Sequence, residues 1–418
     1  MSERPAGRSL GVVGIAVLIA AGLGYPILII AGRVLSPADS AVFLTFWGLV
    51  FGVGSTLSPV EQEVSRLAAV AHVAGGRAGA AAGRTVVVAA AAVGVFGLCT
   101  LLPPVSGRLF GEHAGLAVVS LVGSLGFALL FGTRGLLVGS HRHKPYGALV
   151  VAEALIRLVL FGGAALLGMN GLVPLAVAVA AGSFAFLPFG RLSSSLYDRG
   201  HGAEPWGRVA RRILVLMLGA ALTASVLTGY PAIVKLFAAP GDAEVLGGLF
   251  FALTVARLPL LLLSPVQAMA VPTVVRLSRD EAGRRRLRGL LVKGSAGAFA
   301  VALAGAGVGW LLGPWAVRLL FGSQYVVAGW AVAGLVWSSV LVGAVMLLAG
   351  VLVARTRGDL VLVLWAVVAG LSVVVLLAWP GGIVARAVAG LVIAPTVGAA
   401  LATLFVLRPG TRPVTVTR

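Results

Sequence analysis

Glu153 and Arg157 stand four residues apart inside one apolar stretch, and Arg134, Lys235 and Arg257 fall inside three others. A spacing of four puts two side chains on one helix face, close enough to pair. An unpaired charge in hydrocarbon costs at least a few kcal/mol, so each of these groups must face protein, water or an ionic ligand. Arg157 lies roughly 15 Å in from the start of its stretch at 1.5 Å per residue, and Arg257 is similarly deep. Arg134 and Lys235 sit near the ends of theirs, where long side chains can reach the interface. Four bases against one acid describe a cationic cavity suited to an anionic headgroup, with Arg157 and Arg257 as its foremost ligands and Arg134 and Lys235 as further ones. Glu153 is either an ion-coupling carboxylate, taking up a proton or sodium, or a structural tie to Arg157.

The elements that must position these groups are helices. A span of about 20 apolar residues crosses a bilayer. Such spans run at 11–32, 41–58, 85–103, 114–138, 147–168, 171–190, 213–237, 246–269, 291–313, 327–353, 360–379 and 383–406. Of 32 Lys and Arg, 24 fall in alternate connections and termini, and the six opposite connections carry only Arg33, Arg108, Arg318 and Arg386. Positive charge is retained on the cytoplasmic side. Both termini are therefore expected in the cytoplasm, and the chain is expected to be an all-α, multi-pass protein of the cell membrane with twelve spans. The amino-terminal basic leader is read as part of a retained first helix, because a full-length apolar run follows it.

Composition narrows the function. A hydrophobic share of 59% with 11% charged residues excludes an ordinary soluble enzyme. The net charge of +19 is dispersed over many loops, which suits anionic lipid headgroups and not nucleic acid. The run Arg284-Arg285-Arg286 with Arg288 reads as an orientation anchor. A single cysteine, Cys99, rules out an intramolecular disulfide and a cysteine metal site. His141-Arg142-His143-Lys144 reads as a solvated basic loop. No Walker motif, nucleophile motif, zinc motif or catalytic carboxylate pair is present, so neither catalysis nor a cofactor is expected.

The chain also repeats itself. Gly24-Tyr25-Pro26 recurs as Gly229-Tyr230-Pro231, and Leu57-Ser58-Pro59-Val60 as Leu263-Ser264-Pro265-Val266, at offsets of 205 and 206. Two six-helix bundles, 1–205 and 206–418, are expected, related by a pseudo-two-fold axis along the membrane normal. Pro26, Pro231 and Pro259 each remove a helical hydrogen bond and are expected to bend their helices.

Ser58-Pro59-Val60-Glu61-Gln62-Glu63-Val64-Ser65-Arg66, Arg134-Gly135-x-x-x-Gly139 through Tyr146 to Glu153-x-x-x-Arg157, and Ala256-Arg257-Leu258-Pro259 followed by Gln267 and Pro272 resemble polysaccharide-repeat exporters. These form a branch of the multidrug/oligosaccharidyl-lipid/polysaccharide (MOP) exporter superfamily. The resemblance implies two bundles around a central cavity and alternating access. It further implies flipping of an undecaprenyl-pyrophosphate-linked oligosaccharide to the outer leaflet, with membrane lipids and the glycosyltransferases and polymerase of a surface-polysaccharide pathway as partners. A peptidoglycan-precursor (lipid II) flippase and an ion-coupled multidrug exporter are alternatives of the same fold. The first usually has two more helices, and the second would be expected to offer carboxylates to organic cations. A membrane glycosyl-polymerase would need a sizeable outer loop, and the longest here has about 13 residues. A non-transporting scaffold would use the deep charges structurally.

Overall fold

The structure, a computed structural model, describes residues 6–198, 200, 204–262, 274, 277 and 281–408. Among the described residues the regular structure is helical apart from one β-bridge between Ala78 and Tyr197. Among these residues, twelve helices are long and apolar enough to cross a membrane. By packing, the chain divides into two compact units, Met1–Phe237 and Ala238–Arg418. The repeat starts its second copy at 206, so packing and repeat divide the chain differently over the seventh span.

In the first unit, α1 (Ala6–Val34) is followed by α2 (Pro37–Thr56), whose start is fixed by Ser36. The Ser36 hydroxyl accepts the Asp39 N–H at 3.1 Å, and Pro37 fills the first turn, where its missing N–H costs nothing. The connection expected over 59–84 is largely helical: α3 covers Ser58–Val73 and α4 begins at Ala80 (Ala80–Leu101). Pro59 and Glu61 favour a helix start, and Val60, Val64 and Ala68 form a buried stripe at four-residue spacing. The charges on the other faces of α3 hide this helix from a hydropathy reading.

After the short α5 (Pro103–Phe110) come α6 (Gly115–Gly139) and α7 (His143–Leu166), joined by a tight turn. α3 lies close on α6 at Gly135, where an added Cβ would meet the Glu61 carbonyl oxygen at 2.7 Å and Val64 Cβ at 2.8 Å. The sixth span is not one regular helix. α8 (Leu172–Ala181) gives way to tight turns at Gly182–Phe184 and Leu187–Phe189, then to α9 (Gly190–Ser195). The seventh begins earlier than expected, as α10 (Trp206–Leu227), and is interrupted before α11 (Tyr230–Phe237). At the interruption the N–H groups of Thr228 and Gly229 both donate to the Ala224 carbonyl at 2.8 Å.

The second unit comprises α12 (Ala243–Ala256), a 3-10 turn (Leu258–Leu262), α13 (Glu281–Phe321), α14 (Gly329–Ala354), α15 (Gly358–Ala378) and α16 (Ile383–Leu407). Phe251 stacks on Phe321 with ring centroids 4.0 Å apart, and Trp337 Nε1 donates to Thr396 Oγ1 at 2.9 Å. Leu263-Ser264-Pro265-Val266, Gln267 and Pro272 lie outside the described residues.

Candidate functional site

Glu153 sits ten residues into α7, roughly 15 Å along its axis, with Arg157 one turn deeper. Both are buried, at 5% and 6% exposure. The pairing expected from their spacing is present, and the structure adds a second guanidinium. Arg157 Nη2 donates to Glu153 Oε1, while Arg134 Nη2, from the neighbouring α6, donates to Oε2. Both carboxylate oxygens are thus taken by arginine. Charge-assisted bonds of this kind are the strong ones, and a low dielectric strengthens them further.

Arg157 is engaged on every side. Its Nε donates to the Val179 carbonyl at 3.2 Å, and its guanidinium lies 4.8 Å from the Phe51 ring centroid and 5.2 Å from that of Phe127. The irregular sixth span makes room for it: a Cβ at Gly182 would meet Arg157 Cγ and Nε at 2.5 Å and the Glu153 carbonyl oxygen at 2.9 Å. Arg134 is the member closest to open space, its side chain 13% exposed, with its guanidinium 5.2 Å from the Phe131 ring and its Nε lacking an acceptor.

A second carboxylate joins this group. Glu61, on α3, accepts the Tyr146 hydroxyl of α7 at 2.9 Å. With Glu61 ionised, two carboxylates balance Arg134 and Arg157. Sequence reasoning missed Glu61 because it reads as part of a loop, although Gly135 and Gly139, one turn apart beside Arg134, mark the place where a second backbone comes close.

A separate ionic network, starting from Glu63 and Arg66 of α3, ties the first unit together near the basic connections. Glu63 accepts two bonds from Arg66, at 2.9 and 2.7 Å, and lies 2.9 Å from Arg212 of α10. Arg212 also grips Glu204 through two bonds of 3.0 and 2.9 Å. The Arg212 hydrogen bond, aided by the charges of Arg208 and Arg66, holds the Glu204 carboxyl below its ordinary value. Arg84 donates to the Glu204 carbonyl and lies 5.0 Å from the Trp206 ring centroid.

The other sequence candidates lie elsewhere. Lys235 is buried on α11, which packs against α2 and α5. Arg257 is half-buried at the carboxyl end of α12, in the second unit. Pro26 is inside the uninterrupted α1, Pro231 is the second residue of α11, just past the break, and Pro259 is exposed in the 3-10 turn. Arg285, Arg286 and Arg288 are exposed on the first turns of α13.

Comparison with solved structures identifies the fold. The chain is similar to an inward-facing multidrug resistance MATE family transporter of the MOP superfamily, with a TM-score of 0.66 over 91% of this chain and 92% of that one at 16% identity. It is also similar to the lipid II flippase MurJ in an inward closed conformation (TM-score 0.62, 94% and 86% covered, 13% identity). A MOP superfamily transporter from Pyrococcus furiosus, described as having a binding pocket of reverse polarity, gives 0.55 over 95% of each chain at 17% identity. The chain is therefore a multi-pass membrane protein with the MOP transporter fold. No family model matches it. It is 31% identical over 406 residues to the uncharacterized protein Rv1510 of Mycobacterium tuberculosis, covering 94% of this chain and 90% of that protein. It is 32% identical over 339 residues to the uncharacterized protein Rv3630 of the same organism, covering 77% and 74%. The chain belongs to one family with these mycobacterial proteins.

Proposed function

We propose that the protein is an alternating-access flippase that moves an undecaprenyl-pyrophosphate-linked oligosaccharide from the cytoplasmic to the outer leaflet of the cell membrane, for surface polysaccharide synthesis. The observation that carries this reading is the occupation of Glu153. An exporter of organic cations needs a carboxylate it can present to its cargo, and both oxygens of this deep acid are held by arginine. Arg134 also retains a buried N–H without an acceptor, a donor an anionic headgroup can take up. In this mechanism Arg134 swings from Glu153 to the pyrophosphate, while Arg157 stays bonded to Glu153. Lys235 and Arg257 are further headgroup contacts. Both termini lie in the cytoplasm, and the glycosyltransferases and polymerase of the pathway supply and consume the cargo.

The inside-negative potential assists outward movement of negative charge, by about 2.3 kcal/mol per charge per 100 mV if the full field is crossed. Glu61, held by one neutral hydroxyl, is the carboxylate free to exchange a proton, a role its geometry suits better than that of the doubly paired Glu153. The test is genetic. Deleting the gene should leave undecaprenyl-linked oligosaccharide on the cytoplasmic leaflet, and wild-type protein should restore export where Arg134→Ala does not. Normal surface polysaccharide in the deletion strain, or full rescue by Arg134→Ala, counts against it.

A further inference from the structure

A cavity of about 580 Å³ lies wholly within the first unit, between α2, α4, α5, α10 and α11. Among the described residues no charged side chain lines it. Its three hydroxyls are turned back on their own helices: Thr56 donates to the Gly52 carbonyl at 2.9 Å, Thr100 to Gly97 at 2.7 Å and Ser225 to Leu222 at 2.8 Å. The rest of the lining is apolar, so a water molecule there would find few partners. Nor is this a packing fault, because protein interiors leave few voids much larger than a water molecule.

The cavity is extended. Lining positions recur every three or four residues along α10 from Leu214 to Ser225, about 16 Å at 1.5 Å per residue, and continue past the helix break to Leu236. Small residues from three helices, among them Gly48, Gly52, Ala92 and Ala221, line it at intervals, and Gly48 and Gly52 also let α2 approach the break at Thr228 and Gly229. Phe96, Leu218 and Cys99, all exposed, stand at its edge. Cys99 and Leu236 are close to the ends of α4 and α11 that flank α5, so the cavity occupies the half of the unit away from the basic connections. α2 separates it from the ionic cluster: Phe51 lies under Arg157, while Gly52, one residue on and about 100° around the helix, faces the cavity.

We propose that this slot holds the polyprenyl chain of the carrier lipid. An uncharged wall whose hydroxyls are committed to their own helices favours hydrocarbon. The recurrent small residues accept the side methyls that an isoprenoid carries and a straight acyl chain lacks. The inference rests on the flippase reading for its source of isoprenoid and places one part of that cargo in the first unit.

Cys99, the only cysteine in the chain, reports occupancy without any substitution. The full protein is placed in phospholipid nanodiscs and alkylated with a lipid-permeant maleimide, with or without undecaprenyl phosphate. Undecaprenyl phosphate should slow alkylation about tenfold, since each buried chain segment adds hydrophobic affinity. Ala221→Phe, which fills the slot, should abolish this protection. Equal rates with and without undecaprenyl phosphate overturn the proposal. So does equal protection by added phosphatidylglycerol, or protection that persists in a folded Ala221→Phe protein. Protection without translocation of the oligosaccharide carrier would defeat the flippase reading and leave the slot standing. Translocation without protection would do the reverse.

Discussion

Replacing Glu153 by Gln removes the carboxylate that both Arg134 and Arg157 touch. Arg157 would then keep its guanidinium charge at 6% exposure, with one carbonyl at 3.2 Å and two aromatic rings in place of a counter-ion. Breaking a buried pair by removing one partner costs about 3–5 kcal/mol, because the remaining charge is left uncompensated in low dielectric. The two rings offset part of this, at about 2 kcal/mol for a desolvated cation over an aromatic face. A net loss of about 1–3 kcal/mol is therefore expected for Glu153→Gln. Arg157→Met combined with Glu153→Gln should recover most of it, since an apolar replacement of a buried pair is often neutral. The assay is thermal unfolding of purified protein followed by size-exclusion fluorescence, for both single variants and the double variant. A Glu153→Gln protein as stable as wild type, or a double variant less stable than either single, would refute the idea that this carboxylate holds two arginines in place.

Three further outcomes follow from the same geometry. Gly182→Ala should destabilise by about 1–3 kcal/mol, because the new methyl would overlap Arg157 and the shared wall cannot yield without breaking its bond to Val179; the same unfolding assay checks it. Tyr146→Phe should cost about 1 kcal/mol by leaving Glu61 without its donor, and Glu61→Gln should cost less, because the amide oxygen still accepts. The Glu204 carboxyl, depressed below 4.5 by Arg212, contributes stability that is fully present above that value and is lost as pH falls through its folded-state value. Unfolding measured against pH should show a smaller acid-side loss in Glu204→Gln than in wild type.

Much of the fold is legible in the sequence, because lipid leaves a chain few choices: the backbone must satisfy itself, and long apolar runs become helices. The Glu153–Arg157 pair is legible for the same reason, being local and set by helix periodicity. The contribution of Arg134 is not, since it acts across two helices from 19 residues away. Glu61 and Glu63 were hidden because α3 is amphipathic, and hydropathy alone cannot distinguish such a helix from a charged loop. The break at Thr228–Gly229 is foreshadowed by Pro231, yet Pro26, in the matching motif, lies in a continuous helix. Proline removes one hydrogen bond in either setting, and the surrounding packing decides whether the helix opens.

Transport itself can be followed in proteoliposomes carrying a fluorescent undecaprenyl-pyrophosphate oligosaccharide in one leaflet and a cationic dye in the lumen. Protein-dependent appearance of the lipid-linked sugar in the opposite leaflet, with no efflux of the dye, is the expected result. Efflux of the dye while the lipid-linked sugar stays where it was placed would contradict it.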